Sequence, residues 1–292
     1  MDTRVMPATN TRPFLKWAGN KYRIIDRVRK QLPHGKRLIE PFAGSGAVFL
    51  NTNFDSYLLT DTNPDLIHLY NFIKEEGDKF IRYAKRLFTD NNNCEKEYYL
   101  KREKFNQSRN LRERAALFIY LNRHGYNGLC RYNSKGGFNV PFGRYIRPYF
   151  PEKELNQFHH KSQNAEFKVS SFELTFNLAE AGDVIYCDPP YVPLTTSANF
   201  TSYCAGGFAM KQQQLLAEIS EQSAQNGIPV LISNHNTAFT RRVYNKADKL
   251  DKFHVRRFIS CNGQKRNHAG EVLALYSQIN KKYQRSSMKA NK

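Results

Sequence analysis

Short apolar runs alternate with amphipathic stretches in two regions of the chain, and between those regions the alternation stops. An amphipathic helix runs to about Gln31 and is broken by Pro33-His34-Gly35. Arg37 to Phe42 reads as a first strand, Ala43-Gly44-Ser45-Gly46 as a tight turn, and Ala47 to Leu50 as the opening of a helix. Ser56 to Thr60 reads as a second strand ending at Asp61. Asn63-Pro64 then starts a helix with Leu66, Ile67, Tyr70 and Ile73 on its buried side. From about Gly77 to Ser162 the pattern is helical instead, around Phe80, Tyr83, Ala84, Leu87 and Phe88 and again from Ala115 to Leu121. Tyr126 to Tyr145 follows, with Asn127-Gly128 and Gly136-Gly137 as turn signals in an aromatic stretch, which reads as a hairpin or a pair of loops.

The strand-helix rhythm resumes with Glu166 to Ser170, Asp183 to Cys187, a helix over Lys211 to Ala224, a strand over Ile228 to Asn234 and a short helix over Thr237 to Tyr244. Phe253 to Ser260 and Glu271 to Tyr276 flank a turn at Cys261 to Gly270, which predicts an antiparallel hairpin at one sheet edge. Strands alternating with helices predict an α/β fold on a mostly parallel sheet. There is no internal repeat. Residues 1–12 and the tail after Asn280, with five Lys/Arg and no acid, read as flexible ends.

Composition fits a globular protein of 292 residues, 40% hydrophobic and 13% aromatic. Met1 to Pro13 lacks the apolar core of a signal peptide, and no apolar run approaches the ~18–20 residues that cross a bilayer. A cytoplasmic protein is expected. The cysteines Cys94, Cys130, Cys187, Cys204 and Cys261 are odd in number and widely spaced, with no CxxC pair and no nearby His at zinc spacing. That argues against a disulfide framework or a structural metal.

Charge changes the picture most. Lys+Arg 45 against Asp+Glu 26 leaves +19, and the pI is about 9.7. A polyanionic partner follows, and nucleic acid is the default. No polybasic amphipathic helix points to a membrane. Between Lys101 and Lys161 there are 13 Lys/Arg and 4 Asp/Glu, so nearly half the excess sits in about a fifth of the chain. There the basic residues interleave with Tyr, Phe and Asn, a composition suited to phosphate contacts, base stacking and edge reading.

Two stretches carry candidate chemistry. Asp188-Pro189-Pro190-Tyr191 follows the apolar strand Asp183 to Cys187. It offers a carboxylate, backbone carbonyls without ladder partners and an aromatic face, at the end of a strand where α/β sheets bind ligands. That group suits a flat ring bearing an amine. Phe42-x-Gly44-x-Gly46 lacks the third glycine of a dinucleotide site, which disfavours a nicotinamide dehydrogenase. With Asp61 after the second strand it suits a nucleoside without a pyrophosphate. Trp17, the only tryptophan, either lies on a cofactor or anchors the core, and Lys16 and Lys21 beside it favour the site.

Taken in order, Phe14-Leu15-Lys16-Trp17-Ala18-Gly19-x-Lys21, Glu40-Pro41-Phe42-Ala43-Gly44-Ser45-Gly46, Asp61, Asn127-Gly128-Leu129-Cys130-Arg131-Tyr132-Asn133 and Asp188-Pro189-Pro190-Tyr191 resemble the DNA adenine methyltransferase (Dam) family from Pro13 to about Ser277. The resemblance implies a Rossmann-like methyltransferase sheet of seven strands, mostly parallel with an antiparallel last strand, and an inserted, mainly helical DNA-recognition domain. It implies a catalytic domain at 13–76 and 163–278, target recognition at 77–162, and flexible ends at 1–12 and 279–292.

It also implies S-adenosylmethionine as methyl donor and N6 of adenine in double-stranded DNA as acceptor, with GATC as the site. Asp188, Pro189, Pro190 and Tyr191 would be catalytic. Trp17, Lys21, Phe42, Gly44, Gly46, Asp61 and Asp188 would hold the cofactor. Lys16, Tyr126, Asn127, Leu129, Arg131, Asn133, Asn139, Pro141, Arg144 and Tyr145 would meet DNA, with no metal and a monomer in solution. Arg131 is open between a guanine edge and a phosphate. Asn20 departs from the glycine common in the family. Two other functions stay open at this point. One is a non-catalytic DNA-binding module that kept the fold, and the other is methylation of cytosine N4 or of RNA adenine.

Overall fold

Leu38, Ile39 and Glu40 are buried in succession, as are all five residues of Asp183–Cys187 and the first five of Val230–His235. Strands closed on both faces belong in the middle of a sheet covered by helices. They are β1 (Arg37–Glu40), β4 (Asp183–Cys187) and β5 (Val230–His235). With β2 (Ser56–Asp61), β3 (Ala165–Val169), β6 (Lys249–Val255) and β7 (Ala269–Tyr276) they make a seven-stranded sheet in the order β3-β2-β1-β4-β5-β7-β6. The computed structural model describes residues 9–191, 208–255 and 269–277.

The β1–β4, β4–β5 and β2–β3 pairs are parallel, whereas β7 runs antiparallel to both β5 and β6. The predicted edge hairpin is therefore present, but β6 begins at Lys249 and not at Phe253. Its polar Lys249, Asp251 and Lys252 hide an edge strand from a search for apolar runs. Residues 256–260 and most of the turn expected at Cys261 to Gly270 lie outside the described residues, as do Cys204 and the basic tail. The last two residues of that turn, Ala269 and Gly270, already belong to β7.

The chain divides into two compact units. One is drawn from Met1–Ile25, Ala43–Asn53 and Tyr57–Val169, the other from Asp26–Phe42, Phe54–Ser56 and Ser170–Lys292. In the first, β2 and β3 carry α2 (Ala47–Leu50), α3 (Pro64–Glu76), α4 (Asp78–Lys85), α5 (Glu95–Gln107), α6 (Leu111–His124) and α7 (Glu152–Ser162). Its centre is a set of rings, with Phe158 at 5.1 Å from Phe14, 4.6 Å from Tyr70, 5.6 Å from Phe49 and 5.7 Å from Phe167. Edge-on and offset pairs of this kind combine burial with favourable quadrupole contacts. The end of the N-terminal lead is fastened to this unit, because Thr11 and Asn51 exchange two hydrogen bonds at 2.8 and 2.9 Å.

The second unit holds α1 (Ile25–Gln31, its first residue at the boundary), α8 (Phe172–Phe176), α9 (Met210–Gln225) and α10 (Ala238–Val243). Arg37 clasps Asp183 through Nε at 3.0 Å and Nη2 at 2.6 Å at the start of the β1–β4 pair. Arg27 does the same to Asp251 on β6, at 2.6 Å from each nitrogen. Among the described residues no helix is long and apolar enough to cross a membrane, and Cys94, Cys130 and Cys187 are free thiols.

Candidate functional site

In the first unit the Gly-rich turn is closed by a carboxylate. Asp61 Oδ2 accepts the Gly44 N–H at 3.1 Å and Oδ1 accepts the Asn63 N–H at 2.9 Å. Burial is the largest influence on Asp61 and raises its pKa. Bonds from the N–H groups of Asn63, Gly44 and Thr62 oppose that shift. Tyr70 donates its phenol to the Gly44 carbonyl. Gly44 has φ +47°, and a Cβ there would sit 3.0 Å from Trp17 Nε1. The turn and the indole are therefore fitted to each other, and glycine is required on both counts. Gly46 caps α2.

Lys21 is buried and donates to the Gly19 carbonyl at 2.7 Å. Asn20, the departure from the family pattern, caps the 3-10 turn Lys21–Ile24 by accepting the Tyr22 N–H at 2.8 Å. Its backbone (φ −49°, ψ 127°) suits any residue. Trp17, Lys21, Gly44, Gly46 and Asp61 thus share one unit.

Phe42 lies in the other unit. It stacks on Phe172 at 5.6 Å and meets Phe208 edge-on at 5.4 Å, an aromatic trio at the carboxyl end of β1. The β1–β4 register pairs Ile39 with Ile185, so this end lies beside the loop that leaves β4.

That loop is held at three points. Asp188 Oδ1 accepts a hydrogen bond from Ser233 Oγ at 3.0 Å. The Pro190 carbonyl accepts one from Gln213 Nε2 at 2.9 Å. Tyr191 donates its phenol to Glu271 Oε2 at 2.7 Å, and its ring meets His235 edge-on at 4.2 Å. Burial, then the charges of Asp188 and Glu271, hold the Tyr191 phenol well above its ordinary pKa, so it stays a donor. Burial likewise drives the Cys187 thiol up, which removes it as a nucleophile.

The basic stretch is a loop pair in the first unit. Short bridges join Tyr132 to Phe138 and Gly125 to Phe142. Arg131 Nε donates to Asn139 Oδ1 at 2.8 Å and Nη2 to the Asn139 carbonyl at 3.1 Å, which aims the exposed guanidinium. Asn133 Oδ1 accepts the N–H groups of Lys135 and Gly137 at 3.0 and 2.9 Å and so shapes its own turn. Tyr145 accepts the Asn127 N–H at 3.0 Å, and Lys16 Nζ lies 4.1 Å from its ring centre. Burial, then Arg123, lowers the Lys16 pKa. Tyr126 is half exposed and donates its N–H to the Pro141 carbonyl at 2.8 Å, and Leu129 N–H returns to Tyr126. Arg144 is exposed in an ion pair with Glu95 at 3.6 Å.

Sequence reading missed what fastens these loops. Buried Asn122 exchanges hydrogen bonds with the Lys16 backbone at 2.9 and 2.7 Å and donates to the Gly128 carbonyl at 3.1 Å. Gly128 can carry no side chain, since a Cβ would lie 2.3 Å from Lys16 Cβ. Tyr132 and Arg114 both bind Asp65 in the first turn of α3. A polar residue directly after the apolar run of α6, on a helix that stays buried to His124, was the one available signal for Asn122.

Residues 17–258 match the family described as D12 class N6 adenine-specific DNA methyltransferase. The DNA adenine methylase of Escherichia coli strain K12 is 53% identical over 265 residues, covering 91% of this chain and 95% of that protein. That of Vibrio cholerae is 52% identical over 267 residues, 91% of this chain and 96% of that protein. That of Serratia marcescens is 53% identical over 266 residues, 91% and 98%. Adenine-specific membership sets aside cytosine N4 as the acceptor. The chain belongs to the D12 class of N6 adenine-specific DNA methyltransferases.

Proposed function

We propose that this enzyme transfers a methyl group from S-adenosylmethionine to N6 of adenine in GATC sites of double-stranded DNA, acting in the cytoplasm as a monomer on a base turned out of the helix. The observation that carries the reading is the strand order. Neighbours β1 and β4 send their chains to opposite sides of the sheet, so their carboxyl ends form the switch point at which α/β sheets bind ligands. Phe42 and Asp188 lie at those two ends.

The residues present fit the cofactor. Asp61 is a carboxylate oriented by backbone N–H donors, suited to ribose hydroxyls. Gly44 brings bare backbone against the flat indole of Trp17, and no third glycine provides for a pyrophosphate. Bound there, S-adenosylmethionine supplies an electrophilic methyl on sulfonium sulfur.

The acceptor amine is weakly nucleophilic because its lone pair is delocalised into the adenine ring. Asp188 and the Pro189 carbonyl each accept one N6 hydrogen, which draws the nitrogen toward a tetrahedral shape and localises the pair. Positive charge would grow on nitrogen as its bond to methyl forms and the methyl–sulfur bond breaks, leaving the neutral thioether, so a fixed carboxylate lowers the barrier electrostatically, and the surplus N6 proton would then pass to solvent. Tyr191 packs on the ring. Turning the base out costs a few kcal/mol. Exposed Tyr126 fills the gap it leaves, and Arg131, aimed by Asn139, reads a guanine edge.

Expression in a methylation-deficient host should protect GATC sites from nucleases that cut only unmethylated sequence. Asp188→Ala should reduce transfer by about 10²–10³-fold while DNA affinity holds. Unprotected sites beside folded, active enzyme would sink GATC, and near-normal turnover in Asp188→Ala would remove Asp188 from the mechanism.

A further inference from the structure

The β4–β5 register sets the buried side chains of Tyr186 and Ser233 beside Asp188. Cys187 pairs with Ile232, so the next residues, Asp188 and Ser233, are neighbours. Side chains alternate along a strand, so Tyr186 and Asp188 share one sheet face with Leu231 and Ser233, while Cys187 and Asn234 lie on the other. On the first face Tyr186 OH lies 3.0 Å from Ser233 Oγ, which lies 3.0 Å from Asp188 Oδ1. Ser233 and Tyr186 are 0% and 2% exposed, so their hydroxyls find partners only inside the protein. A serine has one proton, and the carboxylate is the best acceptor within its reach. Tyr186, kept protonated by burial, then donates to Ser233, and Ser233 donates to Asp188.

The opposite face carries a matching arrangement. Gln213 on α9 is buried, and its Oε1 lies 3.0 Å from both Asn234 Nδ2 and Tyr244 OH. Two donors therefore fix Oε1, and Nε2 is left to face the Pro190 carbonyl, which can only accept. Buried polar groups in this number are costly in a core unless fully partnered. Both sets end on the Asp188–Tyr191 loop.

We infer that Ser233 and Gln213 are positioning residues for methyl transfer: Ser233 fixes the Asp188 carboxylate, and Gln213 fixes the peptide that follows Pro190. The inference rests on Asp188 acting as an amine acceptor. Neither residue touches substrate. Each removes a rotation from the loop, so the two acceptors meet the amine already aligned. A displacement of about 1 Å at such a centre costs on the order of 10²-fold in rate.

The test is single-turnover transfer of labelled methyl from S-adenosylmethionine to methylation-free bacterial DNA. Cofactor binding, DNA binding and thermal melting are measured on the same preparations. Ser233→Ala and Gln213→Met should each slow transfer about 10- to 100-fold, with both affinities within about twofold of the parent. Ser233→Cys, close in size with a weaker donor, should fall between Ser233→Ala and the parent. If Ser233→Ala does not fold, Tyr186→Phe, which loses only the oxygen that orients Ser233, takes its place with an expected loss of about threefold to tenfold.

Transfer within about twofold of the parent in these variants, or loss of cofactor affinity in step with rate, overturns the inference. Asp188→Ala in the same assay separates the two ideas. If it retains turnover, the acceptor role itself fails. If it is dead while Ser233→Ala and Gln213→Met are normal, only the positioning inference falls.

Discussion

At the scale of single residues, Asp61 gives two pH dependences of opposite sign. Burial raises its pKa in the folded protein above the unfolded value. Between those values the native state keeps a proton that the unfolded chain has released, so the stability this group contributes to the apoprotein falls as pH rises. In the proposed role of Asp61 the ribose hydroxyls donate, and they bond best to the ionised carboxylate, so cofactor affinity should run the other way. It is complete above the folded pKa and lost as pH falls through it. S-adenosylmethionine titrations followed by Trp17 fluorescence should give an acid limb displaced upward from that of an ordinary aspartate. Asp61→Asn should flatten that limb and weaken binding at neutral pH by about tenfold. An unchanged limb in Asp61→Asn would assign it to another group. Asp61 itself was legible in the sequence, as an acid after a second strand beyond a Gly-rich turn. The paired N–H donors that orient it were not, because they depend on how the turn closes in space.

At the scale of elements, legibility followed the supply of apolar residues. β1, β4, β5 and α3 were readable because burial on both faces, or Pro64 behind an Asn63 cap, leaves a dense local signal. The helices α5 and α7 were not, since each buries little: Tyr98 and Phe105 in one, Leu155, Phe158 and Ser162 in the other. The aromatic loop pair was recognised, but its attachment to α3 was invisible. Arg114 grips Asp65 through Nε at 2.9 Å and Nη2 at 2.7 and 2.9 Å, and Tyr132 donates to the same carboxylate at 2.8 Å. Asp65→Ala strands a largely buried guanidinium and a phenol, and should cost about 3 kcal/mol by urea denaturation. Asp65→Ala combined with Arg114→Met should recover part of that loss, because it removes the orphaned charge. DNA affinity should fall more than cofactor affinity in Asp65→Ala, since the tie leads to the loop that carries Arg131. Equal stability of single and double variants would mean the pair acts independently of its burial.

At the scale of the whole molecule, an excess of +19 acts on a polyanion before any base is read. Composition revealed this directly, whereas the strand order that makes β1 and β4 neighbours was not legible, because local patterning does not say which strands pair. The two partners should therefore separate by salt. A protein that covers roughly 6–10 phosphates loses about 10³–10⁵-fold in DNA affinity between about 50 and 200 mM salt, as counterions are no longer released at a gain. The residues proposed to hold the cofactor would act through hydrogen bonds and ring contacts at short range, where screening over a Debye length of about 10 Å matters little. DNA binding by anisotropy should fall steeply and linearly in log–log form. The S-adenosylmethionine-induced change in Trp17 fluorescence should move by less than about threefold over the same range. Trp17 serves as the probe because it is the only tryptophan and lies against Gly44. A cofactor affinity that fell as steeply as DNA affinity would mean that the basic surface, and not the Gly44–Asp61 turn, holds the cofactor. A flat DNA curve would remove phosphate neutralisation as the source of binding.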